Sequence, residues 1–473
     1  MLDLRSYQEE AVRFLTERTV AYLADDPGLG KTITVLEAAK RLNASKVAVV
    51  CPKAVLSHWH DEIIKHGHFQ NANIAKSFPQ IPTVQVVNYE QIHKCVGVVA
   101  NADVFVIDER HYTKNEGNTN GGKHYTGVRR SAYTRSIARF VIENNGRVYA
   151  LSGTPMPKGQ PVELIHQLEI LGAFDPLFDS WEHYVRRYCA AYRERIYTKY
   201  GPKVIWNVKG ASNLEELQQV LSPLMLRRTR REALPGIATL PPDIRPVHLS
   251  QTQRQAYYEI IDNIKEWIYE KVRSREYATE DEAIEAAIRA FNGGQLVIYN
   301  ELRQFLATVK LAPTIDFVTD FLSTGRSLVV YGYHREFLTL VAETFNTEPL
   351  IGGISEGSRS TLIHNFQNGK SQLLVAGMKV AGIGINLAYN CSDALFAEYD
   401  WTAAEHKQAL ERLTRTPQQN PVANYWLCVA DTLDAQLVER IALQATVAGT
   451  VLGDNLTQDV LVSLGIKDVF SNQ

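Results

Sequence analysis

Two short runs, far apart in the chain, carry the residue types that handle a nucleoside triphosphate. The first is Asp25-Asp26-Pro27-Gly28-Leu29-Gly30-Lys31-Thr32 and the second Asp108-Glu109-Arg110-His111. Ahead of the first, Val20-Ala21-Tyr22-Leu23-Ala24 reads as a strand, and the Gly-rich turn after it lets backbone N–H groups approach phosphate. Lys31 then opens a helix whose N-terminal dipole favours an anion, and Thr32 offers a hydroxyl to magnesium. The strict phosphate-loop pattern wants a glycine where this chain has Asp25. Ahead of the second run, Val104-Phe105-Val106-Ile107 reads as a buried strand ending at Asp108, where a sheet edge presents a carboxylate to the metal. Glu109, next along, is expected to polarise the attacking water. Either run alone is also what an ordinary turn at a strand end looks like. Together and in this order they point to hydrolysis of a nucleoside triphosphate.

Such runs need a parallel sheet to hold them. From residue 1 to 155, apolar runs at 47–51, 84–87, 104–107 and 148–151 alternate with helical stretches, the pattern of a parallel α/β sheet. After Pro155 the strands are expected to stop. Helical periodicity takes over through Val162, Ile165, Leu168 and Leu171, and again through Ile260, Ile261, Ile264, Trp267 and Ile268. This predicts a mostly helical insertion over 156–309, broken at Pro241-Pro242 and at Asn292-Gly293-Gly294. Strand-like runs return at 328–331, 373–376, 394–397 and 425–429, so a second α/β unit is expected over 310–430. A helical tail over 431–473 follows, with Leu433, Leu437 and Ile441 on one face and Asp431 or Thr432 as its cap. Residues 116–127, rich in Gly, Asn and Thr, read as a mobile loop.

Composition narrows the function classes. A chain of 473 residues at 45% hydrophobic content can fill the cores of two or three domains. Lys+Arg 50 against Asp+Glu 52 leaves no global basic field, so any polyanion must be met by a local patch. The cysteines Cys51, Cys95, Cys189, Cys391 and Cys428 lack zinc-site spacing and read as reduced core thiols. No apolar run has the length of a membrane span, and Met1-Leu2-Asp3-Leu4-Arg5 lacks the layout of a signal peptide, so no membrane partner is expected. The expected location is the cytoplasm of a prokaryotic or phage-infected cell, or the nucleus if the source is eukaryotic.

With these runs in place, the chain resembles the Swi/Snf-type branch of superfamily 2 helicases and DNA translocases over most of residues 1–430. Leu4-Arg5-Ser6-Tyr7-Gln8 is similar to the adenine-reading motif, Cys51-Pro52-Lys53 with Trp59 to the next motif on the nucleic-acid side, and Asn88-Tyr89-Glu90 to a short motif that also touches the strand. Leu151-Ser152-Gly153-Thr154-Pro155 resembles the coupling motif, and Met225-Leu226-Arg227-Arg228-Thr229-Arg230-Arg231 a phosphate-binding or lobe-bridging segment of this branch. Ala381-Gly382-Ile383-Gly384-Ile385-Asn386-Leu387 is similar to the motif lining both DNA and nucleotide, followed by Glu398-Tyr399-Asp400-Trp401. Gln408-Ala409-Leu410-Glu411-Arg412-Leu413-Thr414-Arg415 resembles the arginine-finger motif. The departures are Arg110, Thr414 and Thr416-Pro417-Gln418, which bear on lobe coupling and substrate preference. The stretches Ser327-Leu328-Val329-Val330-Tyr331 and Ile351-Gly352-Gly353-Ile354-Ser355 bring the chain nearest to compact annealing-helicase and phage branch-migration members.

The resemblance implies two RecA-like lobes that use ATP and Mg2+. Arg5, Gln8, Pro27, Gly28, Leu29, Gly30, Lys31, Thr32 and Gly384 would hold the nucleotide. Thr32 and Asp108 would hold the metal; Lys31, Asp108, Glu109, Arg412 and Arg415 would carry the chemistry. Lys53, Asn88, Tyr89, Lys379 and Trp401 would touch double-stranded or branched DNA. Two other readings stay open: a strand-separating DNA or RNA helicase, and a clamp that has lost turnover, against which Lys31, Asp108, Glu109 and Arg415 all speak.

Overall fold

The computed structural model describes residues 4–66, 72–74, 84–108, 125–198, 201–234, 239–273, 280–381, 385–415 and 417–452. The strands of the first half are β1 (Val20–Leu23), β2 (Val47–Cys51), β3 (Ala72–Ile74), β4 (Val84–Asn88), β5 (Val104–Asp108) and β6 (Arg147–Leu151). Then come β7 (Tyr192–Thr198), β8 (Gly201–Asn207), β9 (Met225–Leu226) and β10 (Asp243–Val247). The second half adds β11 (Leu328–Gly332), β12 (Leu373–Gly377), β13 (Asp393–Phe396) and β14 (Ala423–Val429).

Lobe one is a parallel sheet in the order β3-β4-β2-β5-β6-β1-β9, and lobe two a parallel sheet in the order β10-β14-β13-β11-β12. Every residue of β2, β4 and β11 is buried. That is why these strands read as unbroken apolar runs rather than as alternation: helices cover both faces of a parallel sheet. Alternate residues still divide between two cores. Phe105 and Ile107 of β5 join the cluster on one face of lobe one, and Val104 and Val106 join the other. In lobe two, Val329 and Tyr331 face one core and Leu328 and Val330 the other.

Three expectations need correction. Strands do not stop after Pro155: β9 adds an edge to the first sheet beside β1, β10 adds an edge to the second beside β14, and β7 and β8 form an antiparallel ribbon. These are short or half-exposed, and β10 contains Pro246, which a sheet tolerates at an edge. Asn292-Gly293-Gly294 does not break the helical region; the helix Glu280–Ser323 runs straight through it. Two glycines disfavour a helix by only about 1 kcal/mol each, which long flanking helical sequence outweighs. Of the loop expected over 116–127, residues 116–124 lie outside the described residues, and the helix Tyr125–Glu143 starts at its end.

The closing helix is Leu433–Leu452. Asp431 sits in the left-handed region (φ 59°), while the Thr432 hydroxyl accepts from the Asp434 N–H at 3.2 Å, so Thr432 serves as the cap. Leu433, Leu437 and Ile441 pack into the lobe-two core, whereas Val451 and Leu452 belong to the lobe-one core. One helix therefore spans both lobes.

Candidate active site between the lobes

Strand register brings the motifs to one edge. Leu23 of β1 lies beside Leu151 of β6, and Leu151 beside Asp108 of β5. Leu226 of β9 pairs with Leu23 on the other side. The turn carrying Asp25 to Lys31, the Ser152-Gly153-Thr154 turn, Asp108 and Arg227 thus all leave the sheet at its carboxyl edge, where open α/β sheets bind ligands.

Gly28 and Gly30 both take φ 81°. A Cβ on Gly28 would meet the Arg230 guanidinium at 2.7 Å, and one on Gly30 the Gln8 amide at 2.5 Å. These glycines therefore give the turn its left-handed geometry and make room for two reaching side chains. Pro27 sits against Gly153, whose missing Cβ would come within 2.3 Å of the ring, and Leu29 is buried. The helix Lys31–Arg41 begins directly after the turn, with Lys31 and Thr32 half-buried on its first turn. The Lys31 ammonium donates to the carbonyls of Asp25 (2.7 Å) and Asp26 (3.3 Å). Gln8 accepts from the Arg5 N–H at 3.0 Å and donates to the Leu29 carbonyl at 3.2 Å, tying the first helix to the turn.

Asp108 is held by two aromatic side chains. The Trp59 indole N–H donates to its Oδ2 at 2.7 Å, and the Tyr89 hydroxyl to its carbonyl at 2.8 Å. Trp59 and Tyr89 are both buried. Tyr89, expected at the DNA, is thus turned onto Asp108. Asn88 is buried too, with its side-chain carbonyl accepting from the Gln91 N–H at 2.8 Å, because the chain turns back over the sheet edge at this point. The Thr32 hydroxyl and the Asp108 carboxylate are hard oxygen donors of the kind magnesium takes. Among the described residues there is no group of three or more His, Cys, Asp or Glu suited to a metal. Glu109 and Gly384 lie outside the described residues.

Lobe two closes on this edge through Asp26. Its carboxylate accepts from Arg227 (2.5 Å), from Lys407 of lobe two (2.6 Å) and from the Arg230 backbone N–H (2.9 Å). Burial opposes ionisation of Asp26, but Arg227 and Lys407 overcome it and hold the carboxyl well below its ordinary range. Arg228 pairs with Asp25, and Arg230 donates to the carbonyl (2.5 Å) and hydroxyl (3.2 Å) of Thr414 in lobe two. The helix Ala403–Leu410 carries Lys407 and delivers the Glu411–Arg415 segment, where Arg412 is buried and Arg415 half-buried. Burial and the neighbouring Arg412 push the Arg415 guanidinium down from its usual value. Glu411 is buried with neither carboxylate oxygen hydrogen-bonded among the described residues. Burial raises its pKa to about 7, against the pull of Lys407, Lys31 and Arg412. Beside it, a cavity of about 410 Å³ opens between Thr154, Arg230, Lys407 and the closing helix.

A sequence model described as the SNF2-related domain matches residues 7–307, and one for the helicase conserved C-terminal domain matches 310–417. The chain belongs to the SNF2-related family of superfamily 2 helicases. Among its relatives, the human DNA annealing helicase and endonuclease ZRANB3 is 26% identical over 476 residues, covering 95% of this chain and 40% of that protein. The Xenopus laevis SWI/SNF-related matrix-associated actin-dependent regulator of chromatin subfamily A-like protein 1 is 25% identical, covering 94% of this chain and 44% of the relative. The chain thus spans less than half the length of either. The Pyrococcus furiosus Hef helicase domain shares the fold, with a TM-score of 0.55 at 13% identity and coverage of 91% and 96%.

Within this SNF2-family chain, sequence reading missed Lys407 as a partner for Asp26, since nothing local marks a pairing across nearly the whole chain. It also missed the cluster near the Lys379 and Trp401 positions. Lys379 is exposed, 3.5 Å from Asp400 and 5.8 Å from the Tyr333 ring, while the Arg303 guanidinium lies 3.7 Å over Tyr333 and 5.1 Å over the half-buried Trp401. The run Tyr331-Gly332-Tyr333 at the end of β11 was the available signal. Lys53 is exposed just beyond β2.

Proposed function

We propose that the chain is an ATP-driven translocase on double-stranded DNA that remodels forked or branched DNA, with ATP and Mg2+ bound in the cleft. One observation carries this reading: lobe two is joined to the phosphate turn itself, by Lys407 to Asp26 and by Arg230 to Thr414, so the Glu411–Arg415 segment closes over the turn. Phosphoryl transfer to water needs positioning and charge stabilisation more than covalent chemistry, so carriers from two bodies make its rate depend on closure. Lys31 takes the β- and γ-phosphates in exchange for the carbonyls of Asp25 and Asp26, and Gln8 with Arg5 meets the base. A magnesium ion, when bound by Thr32 and Asp108, neutralises charge on the phosphates. Glu109 orients the water, and Arg412 and Arg415 offset charge at the γ-phosphate. Lys53 on lobe one and Lys379 with Trp401 on lobe two hold the DNA backbone. Lobe one takes residues 1–155 with β9 added, and lobe two takes 310–430 with β10 added.

The test is steady-state ATPase with linear duplex, single-stranded, forked and RNA cofactors in parallel. Stimulation greatest with duplex and forked DNA is expected. Greater stimulation by single strands or RNA would replace this reading with a strand-separating helicase, and absent turnover with every cofactor would make the chain a clamp.

A further inference from the structure

We propose that the β7–β8 ribbon is a second DNA-binding surface, separate from the motor cleft, that grips the phosphates of a second duplex arm in branched DNA. This rests on the branched-DNA reading above. The ribbon belongs to neither parallel sheet. None of its residues borders the interlobe cavity.

Its register sorts the side chains. Directly opposed residues of an antiparallel pair share a face, so Arg193 with Trp206 and Arg195 with Val204 lie on one side. Arg193, Arg195 and Val204 are exposed on that side, and Trp206 is half-buried. That side therefore carries two arginines and no acid of the ribbon, since Glu194 lies on the opposite side, where Asn207 donates to it at 3.0 Å. In a chain whose charges otherwise balance, this is a local basic patch of the kind a polyanion requires. Neither Arg193 nor Arg195 has a carboxylate partner among the described residues, so neither must give up an ion pair to bind phosphate.

The patch is also braced. The guanidinium groups of Arg186 and Arg193 lie 5.0 Å and 5.3 Å from the Trp206 ring centre, and Trp206 meets Trp181 edge-on at 6.4 Å. Trp181 and Arg186 stand on the helix Trp181–Tyr188, whose Tyr184 and Val185 are buried in the lobe-one core. The ring contact orders the Arg193 guanidinium before any ligand arrives, which lowers the ordering cost of binding there. With two guanidinium groups already near the Trp206 ring, the face offers cations rather than a bare stacking platform. Phosphates, not unpaired bases, are the chemistry it matches. A two-stranded ribbon also has the width to sit along a duplex groove.

The experiment compares the wild type, Arg193→Gln/Arg195→Gln and Arg193→Lys/Arg195→Lys on linear duplex and on a four-way junction. It reads affinity against salt together with ATPase. For the glutamine variant, duplex-stimulated ATPase should stay at the wild-type level, while the log–log salt slope on the junction should fall by about 1.8, or 0.9 per lost phosphate contact. The lysine variant should restore the slope. An equal loss on linear duplex would place these arginines on the motor track, and an unchanged junction slope would leave the ribbon without DNA; either overturns the proposal. The wild type separates the two levels. If it shows no preference for the junction over linear duplex, the branched-DNA reading falls and the second-arm assignment with it. If the preference exists but survives the glutamine variant, only the ribbon assignment falls.

Discussion

Lys31 and Arg415 test the two sides of the cleft separately. Lys31 donates to backbone carbonyls of the turn proposed to hold phosphate, so Lys31→Ala should abolish ATP turnover while leaving the melting temperature without nucleotide nearly unchanged. Turnover near the wild-type rate would remove the phosphate assignment. Arg415→Ala should leave ATP affinity almost intact, because the anchors Lys31 and Gln8 stand on lobe one. It should still lower DNA-stimulated turnover by roughly 10³ to 10⁵, the worth of an arginine finger. Arg412→Ala is the companion, and full activity in both would mean that lobe two does not complete the site. Glu411 sets a pH dependence. Its folded-state pKa of about 7 lies above the ordinary 4.5, so the folded state binds its proton more tightly. Its contribution to stability is therefore present below pH 4.5 and lost as pH rises toward 7. Glu411→Gln should flatten the thermal-stability profile in that window; a profile as steep as the wild type's would exclude Glu411 as its source. These roles differ in how far the sequence announced them. The positions of Lys31 at a helix start and Asp108 at a strand end were legible because a short motif fixes both residue and neighbours. The Tyr89 contact was not legible, because a motif says which strand end a residue leaves from, not whether its ring then folds inward onto Asp108.

At the scale of elements, the central strands could be read almost to the residue, since burial on both faces leaves an unbroken apolar signature. The edges could not. β3 and β9 are only a few residues long, and β10 is half-exposed with a proline inside it, so their pairing depends on partners distant in sequence. The same distance hides the Arg227–Asp26 pair that stitches the segment after β9 to the turn after β1. Both side chains are nearly fully buried, at 4% and 7% exposure. Removing one partner of such a pair leaves an uncompensated charge, so Asp26→Ala should destabilise the fold by about 3–5 kcal/mol in denaturant unfolding. Lys407→Ala should have the smaller effect, because the lysine side chain is one-third exposed and Asp26 keeps Arg227. A loss under about 1 kcal/mol for Asp26→Ala would show that the pair does not hold the segment in place.

For the molecule as a whole, the helix Leu433–Leu452 matters most, because it is rooted in one lobe and ends in the other. Gly159, which follows the Ser152–Pro155 turn at the end of lobe one, takes φ 61°, and a Cβ there would lie 2.4 Å from the Gln444 carbonyl. Gly159→Val should therefore prise the helix from lobe one and split a single calorimetric unfolding transition into two; one unsplit transition at the wild-type temperature would contradict this. An α-helix of this length is a rod of about 30 Å that does not stretch. In the proposed cycle the lobes part to exchange nucleotide, and a rod anchored at Leu437 and Ile441 would then withdraw its far end, Val451 and Leu452, from the lobe-one core. The helix thus works as a calliper across the cleft. Amide exchange in its last turns should keep time with ATP turnover if the proposed motor opens and closes in this way, and exchange that ignores turnover would leave the helix a static strap.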